Sequence, residues 1–276
     1  MIFICADNDF YDLEYTEMMK LASSFPKLIM VNDQAIDLSH MSAEEKEFAV
    51  RFTDDAILRY ERFGRPRALF GIAGPSGAGK SVLAAMLKEI AKEKKLPFRV
   101  ETVSIDAFHF PNEYLATEER KGVNLKSVKG RYDTYDTQLL AGEFSRFREG
   151  AVMRFPHYSR KIHDPIPGAV TIAEPRTLLF IEGLWVLYDH AGWEFVRDEL
   201  DYAYFLDDAP ERLQRHVVGR HIRGGRTERA ALQFYKASDL ENYRLVMQTK
   251  KYADQFFSWP RGREHGKTVA LGECNG

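Results

Sequence analysis

Gly74-Pro75-Ser76-Gly77-Ala78-Gly79-Lys80-Ser81 is the stretch on which the reading of this chain turns. It satisfies G-x-x-x-x-G-K-[ST], a spacing with a physical reason behind it. The glycines let backbone N–H groups curl around a β-phosphate, and the helix that opens next adds its positive dipole end. Lys80 reaches the β and γ phosphates, and the Ser81 hydroxyl ligates Mg²⁺. The plain alternative is an ordinary glycine-rich turn, and the flanks decide against it. The apolar run Ala68 to Ala73 precedes the loop as a short strand. Leu83, Met86, Leu87 and Ile90 follow it at i, i+3, i+4 and i+7, the spacing of an amphipathic helix. Strand, loop and helix are the context this motif requires.

Working outward, further apolar runs at Phe98 to Ile105, Leu178 to Ile181 and Tyr202 to Leu206 alternate with helical stretches. Those stretches lie around Gln138 to Arg148, Trp193 to Leu200 and Pro210 to Val218. The alternation predicts an α/β fold of the P-loop NTPase kind: three layers, α/β/α, around a mainly parallel sheet. Residues 1–66 read differently and are expected to form an N-terminal extension packed on the core. Within them, Lys27 to Val31, an Asn32-Asp33 turn and Gln34 to Leu38 suggest a hairpin. Ser42-Ala43-Glu44-Glu45 is a capping box opening a helix with Ala49, Phe52, Ala56 and Phe63 along one face, ending near Gly64-Arg65-Pro66. Residues 67–260 are the expected P-loop domain. Residues 261–276 are a polar, glycine-rich tail expected to be poorly ordered.

Composition bounds what such a chain does. At 276 residues, 45% hydrophobic and 29% charged, it is long enough and apolar enough to fold alone as a soluble protein. Its 39 basic and 41 acidic residues leave a net charge of −2, which removes the positive field of a general nucleic-acid binder. Two cysteines, Cys5 and Cys274, make neither a disulfide framework nor a thiolate metal cluster and point to a reducing cytoplasm. The start shows no signal peptide. The most apolar stretch, Thr177 to Leu187, is short and interrupted by Glu182, so no membrane partner is expected.

Several residues suit phosphoryl transfer. Asp106 follows the second apolar run, which places a carboxylate at the carboxyl end of a strand expected beside the phosphate-loop strand. There it can accept a hydroxyl proton or orient Mg²⁺; a turn-capping aspartate is the alternative. Leu178 to Ile181 ends in Glu182, an acid suited to holding Mg²⁺ directly or through water unless it only caps the next helix. The stretch from His157 to Asp164 packs donors, acceptors and an aromatic face into one loop, a mix that suits a hydroxylated acceptor; a solvated loop is the bland version. His109 is a pocket candidate or a satisfied turn histidine. Asp136, directly before the Leu140, Phe144, Phe147 stripe, is explained as well by N-capping. In the basic run from Arg212 to Arg226, Gly224-Gly225 can hinge a lid. Arg220, Arg223 and Arg226 are its candidates for stabilising transferring charge, whereas Arg212 and Arg215 read as a solvated helix face.

Taken together, six stretches resemble the uridine kinase, phosphoribulokinase and bacterial pantothenate kinase family of P-loop kinases. They are the phosphate loop, Asp106-Ala-Phe-His109, Gly130-Arg-Tyr-Asp-Thr-Tyr-Asp136, Pro156-His-Tyr-Ser-Arg160, His163-Asp164-Pro165-Ile-Pro167 and Ile181-Glu-Gly183. The resemblance covers about residues 67–256 in the family's order. It implies Mg-ATP on Gly74 to Ser81, Asp106 as catalytic base, Glu182 and Ser81 at the metal, and Tyr158, Arg160 and His163 in the acceptor pocket. A homodimer is implied on the same ground alone. Ser159 departs from the family, standing where relatives often carry Asp, and this bears on acceptor identity. The expectation is an ATP-dependent kinase acting on a hydroxyl of a small polar metabolite. Two alternatives stay open. One is a nucleoside monophosphate-type kinase clamping its acceptor through Arg131, Arg154 and Arg160. The other is a regulatory ATP-binding protein with little turnover.

Overall fold

The computed structural model describes residues 25–260; Cys5, Cys274 and the polar tail expected at 261–276 lie outside them. Strands β1 (Leu28–Val31) and β2 (Gln34–Asp37) pair antiparallel across Asn32-Asp33. Both turn residues hold positive φ, 46° and 67°, which Asn and Asp tolerate in tight hairpin turns. Helix α1 (Ala43–Phe63) begins on the expected capping box, with Ser42 accepting from the Glu45 amide and the Glu45 carboxylate accepting from the Ser42 amide. Its buried stripe is Phe48, Ala49, Phe52, Ala56 and Tyr60. Phe63, expected on that face, is 39% exposed and reaches the core only edge-on, against Phe70.

The sheet strands are β3 (Arg67–Ala73), β4 (Arg99–Ser104), β9 (Thr177–Gly183), β10 (Tyr202–Asp207) and β11 (Gln255–Ser258). They run parallel in the order β11-β10-β3-β9-β4. Helix α2 (Lys80–Glu93) crosses from β3 to β4. After β4 come α3 (Asn112–Thr117), the short pair β5 (Glu119–Arg120) and β6 (Val123–Asn124), and α4 (Thr137–Arg148), whose N-cap is Asp136. A second hairpin, β7 (Met153–Ser159) and β8 (Asp164–Ile172), precedes β9. Beyond β9 lie α5 (Trp193–Asp198) and β10, then α6 (Pro210–Arg223), α7 (Glu228–Phe234) and α8 (Leu240–Gln248). A single π-helical turn, Tyr235–Asp239, joins α7 to α8.

Two apolar cores cover the two faces of the sheet. On one, α1 and α2 bring Phe48, Phe52, Leu83 and Leu87 against Phe70, Phe180 and Tyr204. On the other, α4 and α5 bring Phe144, Phe147 and Trp193 against Leu179, Ile181 and Phe205. Three expectations need correction. Strand β4 does not border β3, because β9 lies between them. Residues 157–164 form the closing end of the β7–β8 hairpin and not an irregular loop. Finally, α7, α8 and β11 add a helical segment and an edge strand where no element was expected.

Candidate active site

The carboxyl ends of β3, β9 and β4 come level with one another: Ala73 pairs with Gly183, and Ser104 with Glu182. This is the crevice where open α/β sheets bind ligands. The phosphate loop leaves β3 at Gly74, whose φ is 144°, and a Cβ there would lie 2.1 Å from the Leu206 carbonyl oxygen. Gly79 caps α2 without a side-chain acceptor, so the amides of the first turn are left for an anion. The Trp259 indole N–H donates to the Ala78 carbonyl at 2.8 Å, and His216 Nδ1 lies 3.0 Å from the Gly77 carbonyl.

Lys80 is 7% exposed and donates to the Pro75 carbonyl at 2.9 Å. Burial pulls its pKa from 10.5 to about 8, against the opposing attraction of Glu182 and Asp106. The sign has two consequences. Between pH 8 and 10.5 the unfolded chain binds more protons, so the ligand-free fold gains stability as pH rises through that window. Phosphates beside the amine favour its charged form, so nucleotide binding above pH 8 is expected to take up a proton and to weaken as pH rises. Calorimetry of nucleotide binding in buffers of different ionisation heat reads that uptake, and Lys80→Met should remove it.

The Ser81 hydroxyl donates to Glu182 Oε1 at 2.9 Å. Glu182 is 4% exposed; burial raises its pKa, while Lys80 and hydrogen bonds from Ser104 and Ser81 lower it. A hydroxyl beside a buried carboxylate is a hard oxygen set that fits Mg²⁺, which keeps several waters. No cluster of three or more His, Cys, Asp or Glu suited to a metal occurs among the described residues. Ser81 and Glu182 are the residues that would hold such an ion.

Asp106 sits in the turn Ile105–Phe108 directly after β4, with its amide on Ser104 Oγ at 3.3 Å. The Tyr135 hydroxyl donates to Asp106 Oδ1 at 3.3 Å. Tyr135 also stacks on His109 at 3.8 Å. His109 is buried with Nδ1 3.0 Å from the Thr134 carbonyl, and burial pulls its pKa down to about 4. It is a neutral, satisfied imidazole at the back of the site. Tyr158 lies 5.9 Å from the His109 ring, and burial, then the charge on Asp106, push its phenol up to about 12. It therefore stays protonated, a hydrogen-bond donor.

The remaining expected residues divide. Arg160 is half-buried with its Nε unpartnered, and its charge acts on both Tyr158 and Arg220. Burial lowers the pKa of Arg220 while Asp239 and Asp106 pull it up, so the end of α6 does bring one guanidinium within electrostatic reach of Asp106. Arg223 is exposed. Arg226 turns back instead, bonding His221 Nδ1 at 2.8 Å and covering the Phe234 ring, while His221 Nε2–H donates to Asp239 at 2.8 Å. It braces α6 against α7. The His163 ring is exposed at positive φ; its carbonyl accepts from Asn112 and Lys129, so the backbone and not the imidazole contributes. Arg131 pairs with Asp133 by two bonds at 2.6 and 2.8 Å.

Sequence reasoning missed Lys129 and Tyr135. Lys129 donates to Asn112 Oδ1 at 2.9 Å and lies 5.4 Å above the Tyr158 ring. Within a run of surface lysines it gave no signal of its own. Tyr135 belongs to the Gly130 to Asp136 stretch, which carried a signal but no hint that its hydroxyl meets Asp106.

A phosphate loop facing a Ser–Glu pair, with an aspartate at the end of the strand beyond, defines a P-loop kinase scaffold. The chain belongs to the Phosphoribulokinase / Uridine kinase family, whose model its residues 69–264 match. It is 28% identical over 188 residues to the uncharacterized protein YggC of Escherichia coli (strain K12), covering 68% of this chain and 76% of that protein. It is 27% identical over 225 residues to a pantothenate kinase of Brucella ovis, covering 76% of this chain and 67% of the relative. Its fold matches that of a Silicibacter sp. TM1040 protein proposed to be a fructose transport system kinase. The TM-score is 0.66 at 24% identity, over 77% of this chain and 98% of that one.

Proposed function

We propose that this protein transfers the γ-phosphoryl group of Mg-ATP to a hydroxyl of a small polar metabolite. The observation that carries the reading is the Ser81–Glu182 hydrogen bond of 2.9 Å beside the phosphate loop, where the carboxyl ends of β3, β9 and β4 come level and Asp106 follows directly after β4. Gly74 to Ser81 cradle the phosphates, and Ser81 with Glu182 hold the ion. Bound there, Mg²⁺ supplies charge neutralisation on the phosphate oxygens. Asp106 accepts the acceptor's proton as the acceptor oxygen bonds to the γ-phosphorus and the bond to the bridging oxygen of ADP breaks. Tyr135 occupies one Asp106 oxygen and leaves the other for the acceptor. Lys80 and Arg220 stabilise the equatorial charge of the transition state.

In this reading residues 67–260 are the catalytic unit, and the described residues 25–66 of the N-terminal extension pack on it. The relative named a pantothenate kinase makes pantothenate the first acceptor to try. ADP release is measured against pantothenate, uridine, fructose and ribulose 5-phosphate, with Lys80→Ala as the blank. One acceptor raising release well above the hydrolysis background is expected. Flat rates despite nucleotide binding would transfer the assignment to a regulatory ATP-binding protein.

A further inference from the structure

The hairpin β1–β2 lies before residue 69, where the family match begins. Its turn nevertheless meets the strand that carries Tyr158. His157 Nε2 lies 2.7 Å from Asp33 Oδ1, joining residues 124 positions apart. Ser159 and His157, then the Lys161 amide, hold the Asp33 pKa below the ordinary carboxylate value, against the opposing effect of burial. Asp33 therefore grips one neighbour of Tyr158, His157. Along a strand alternate side chains point to opposite faces, so fixing His157 constrains the rotation of the residue beside it. An irregularity shifts the β7–β8 register between Phe155 and His157, immediately before this segment. On the facing strand, Asp164, paired with Ser159, accepts from the Asn112 amide at 2.9 Å through Oδ1. The segment bearing Tyr158 is thus tied from two sides.

A cavity of about 420 Å³ lies between β1, α2, β4 and β7. Asn32, His157 and Tyr158 line it together with Ser81 and Glu182, the pair assigned to the metal. The Asn32 side-chain nitrogen is buried without a hydrogen-bond partner. Hairpin, acceptor strand and phosphate-loop helix therefore share one space.

We infer that the β1–β2 hairpin is part of the acceptor site and that Asp33 is a positioning residue, holding Tyr158 toward Asp106 through His157. This rests on the kinase reading above. In the full chain, Asp33→Ala is expected to raise KM about 10-fold for whichever panel compound is phosphorylated, with KM for ATP held, as for loss of an outer-shell partner. Asp33→Asn keeps an accepting oxygen and should recover most of that loss. His157→Ala should reproduce it, and the double variant should be no worse than the more severe single one. Equal rises in both KM values, or additive losses in the double variant, would overturn the inference. If the unaltered chain phosphorylates no panel compound, the kinase reading fails on its own and hydrogen exchange decides the clamp. Faster exchange at residues 157–160 in Asp33→Ala than in the unaltered chain sustains it, and unchanged exchange overturns it.

Discussion

Asp106→Asn is expected to lower kcat by about 10²- to 10⁴-fold, the usual loss when a positioned general base is removed. The carboxamide oxygen still accepts from Tyr135, whose hydroxyl lies 3.3 Å from Oδ1, so the pocket keeps its shape. What is lost is an oxygen able to take the acceptor's proton. Because the Asp106 charge helps keep Lys80 protonated, the variant should also release the Lys80 proton at lower pH than the unaltered chain. Rapid-quench measurement of phosphoryl transfer, paired with nucleotide titration near neutral pH, separates these effects. A fall in transfer with nucleotide affinity kept assigns Asp106 to the chemistry. Equal losses in both would make it a structural residue.

Gly74→Ala is expected to be the most disruptive single methyl group in the loop. The added carbon meets the Leu206 carbonyl oxygen at 2.1 Å, a backbone atom of the neighbouring strand that cannot swing aside. The φ of 144° is unfavourable for any residue with a Cβ. Overpacking of this kind costs about 3 kcal/mol, which for a chain of this size lowers Tm by roughly 6–12 °C. Gly122→Ala is the control, since that glycine is also at positive φ, 73°, yet nothing lies within 4 Å of the added carbon. Thermal melts should show Gly74→Ala falling several times further than Gly122→Ala, with nucleotide binding lost only in the former.

What was legible in the sequence was local. The phosphate loop, the Ser42 capping box and the Asn32-Asp33 turn each depend on residues a few positions apart, and each forms as read. Asp106 and Glu182 were found because an acid at the end of an apolar run is also a short-range pattern. The order of the strands was not legible, since it is set by which crossover packs on which face, and this hid the insertion of β9 between β3 and β4. The β7–β8 hairpin was masked by Pro156, Pro165 and Pro167, which break the alternation that announces a strand. Arg226, a lid candidate beside a glycine hinge, meets His221 and the Phe234 ring, partners that only the fold brings to it.

Three tryptophans occur in the chain, and their surroundings differ. Trp185 and Trp193 are fully buried, with their indole nitrogens on the carbonyls of Gly130 and Tyr132. Trp259 alone rests on the phosphate loop, bonded to Ala78 and so near Gly79 that a Cβ there would lie 2.6 Å from its ring nitrogen. A nucleotide filling the loop is expected to change the polarity around that indole, whereas the other two are buried away from solvent. The protein thus carries a native fluorophore at its nucleotide end, set against two internal references.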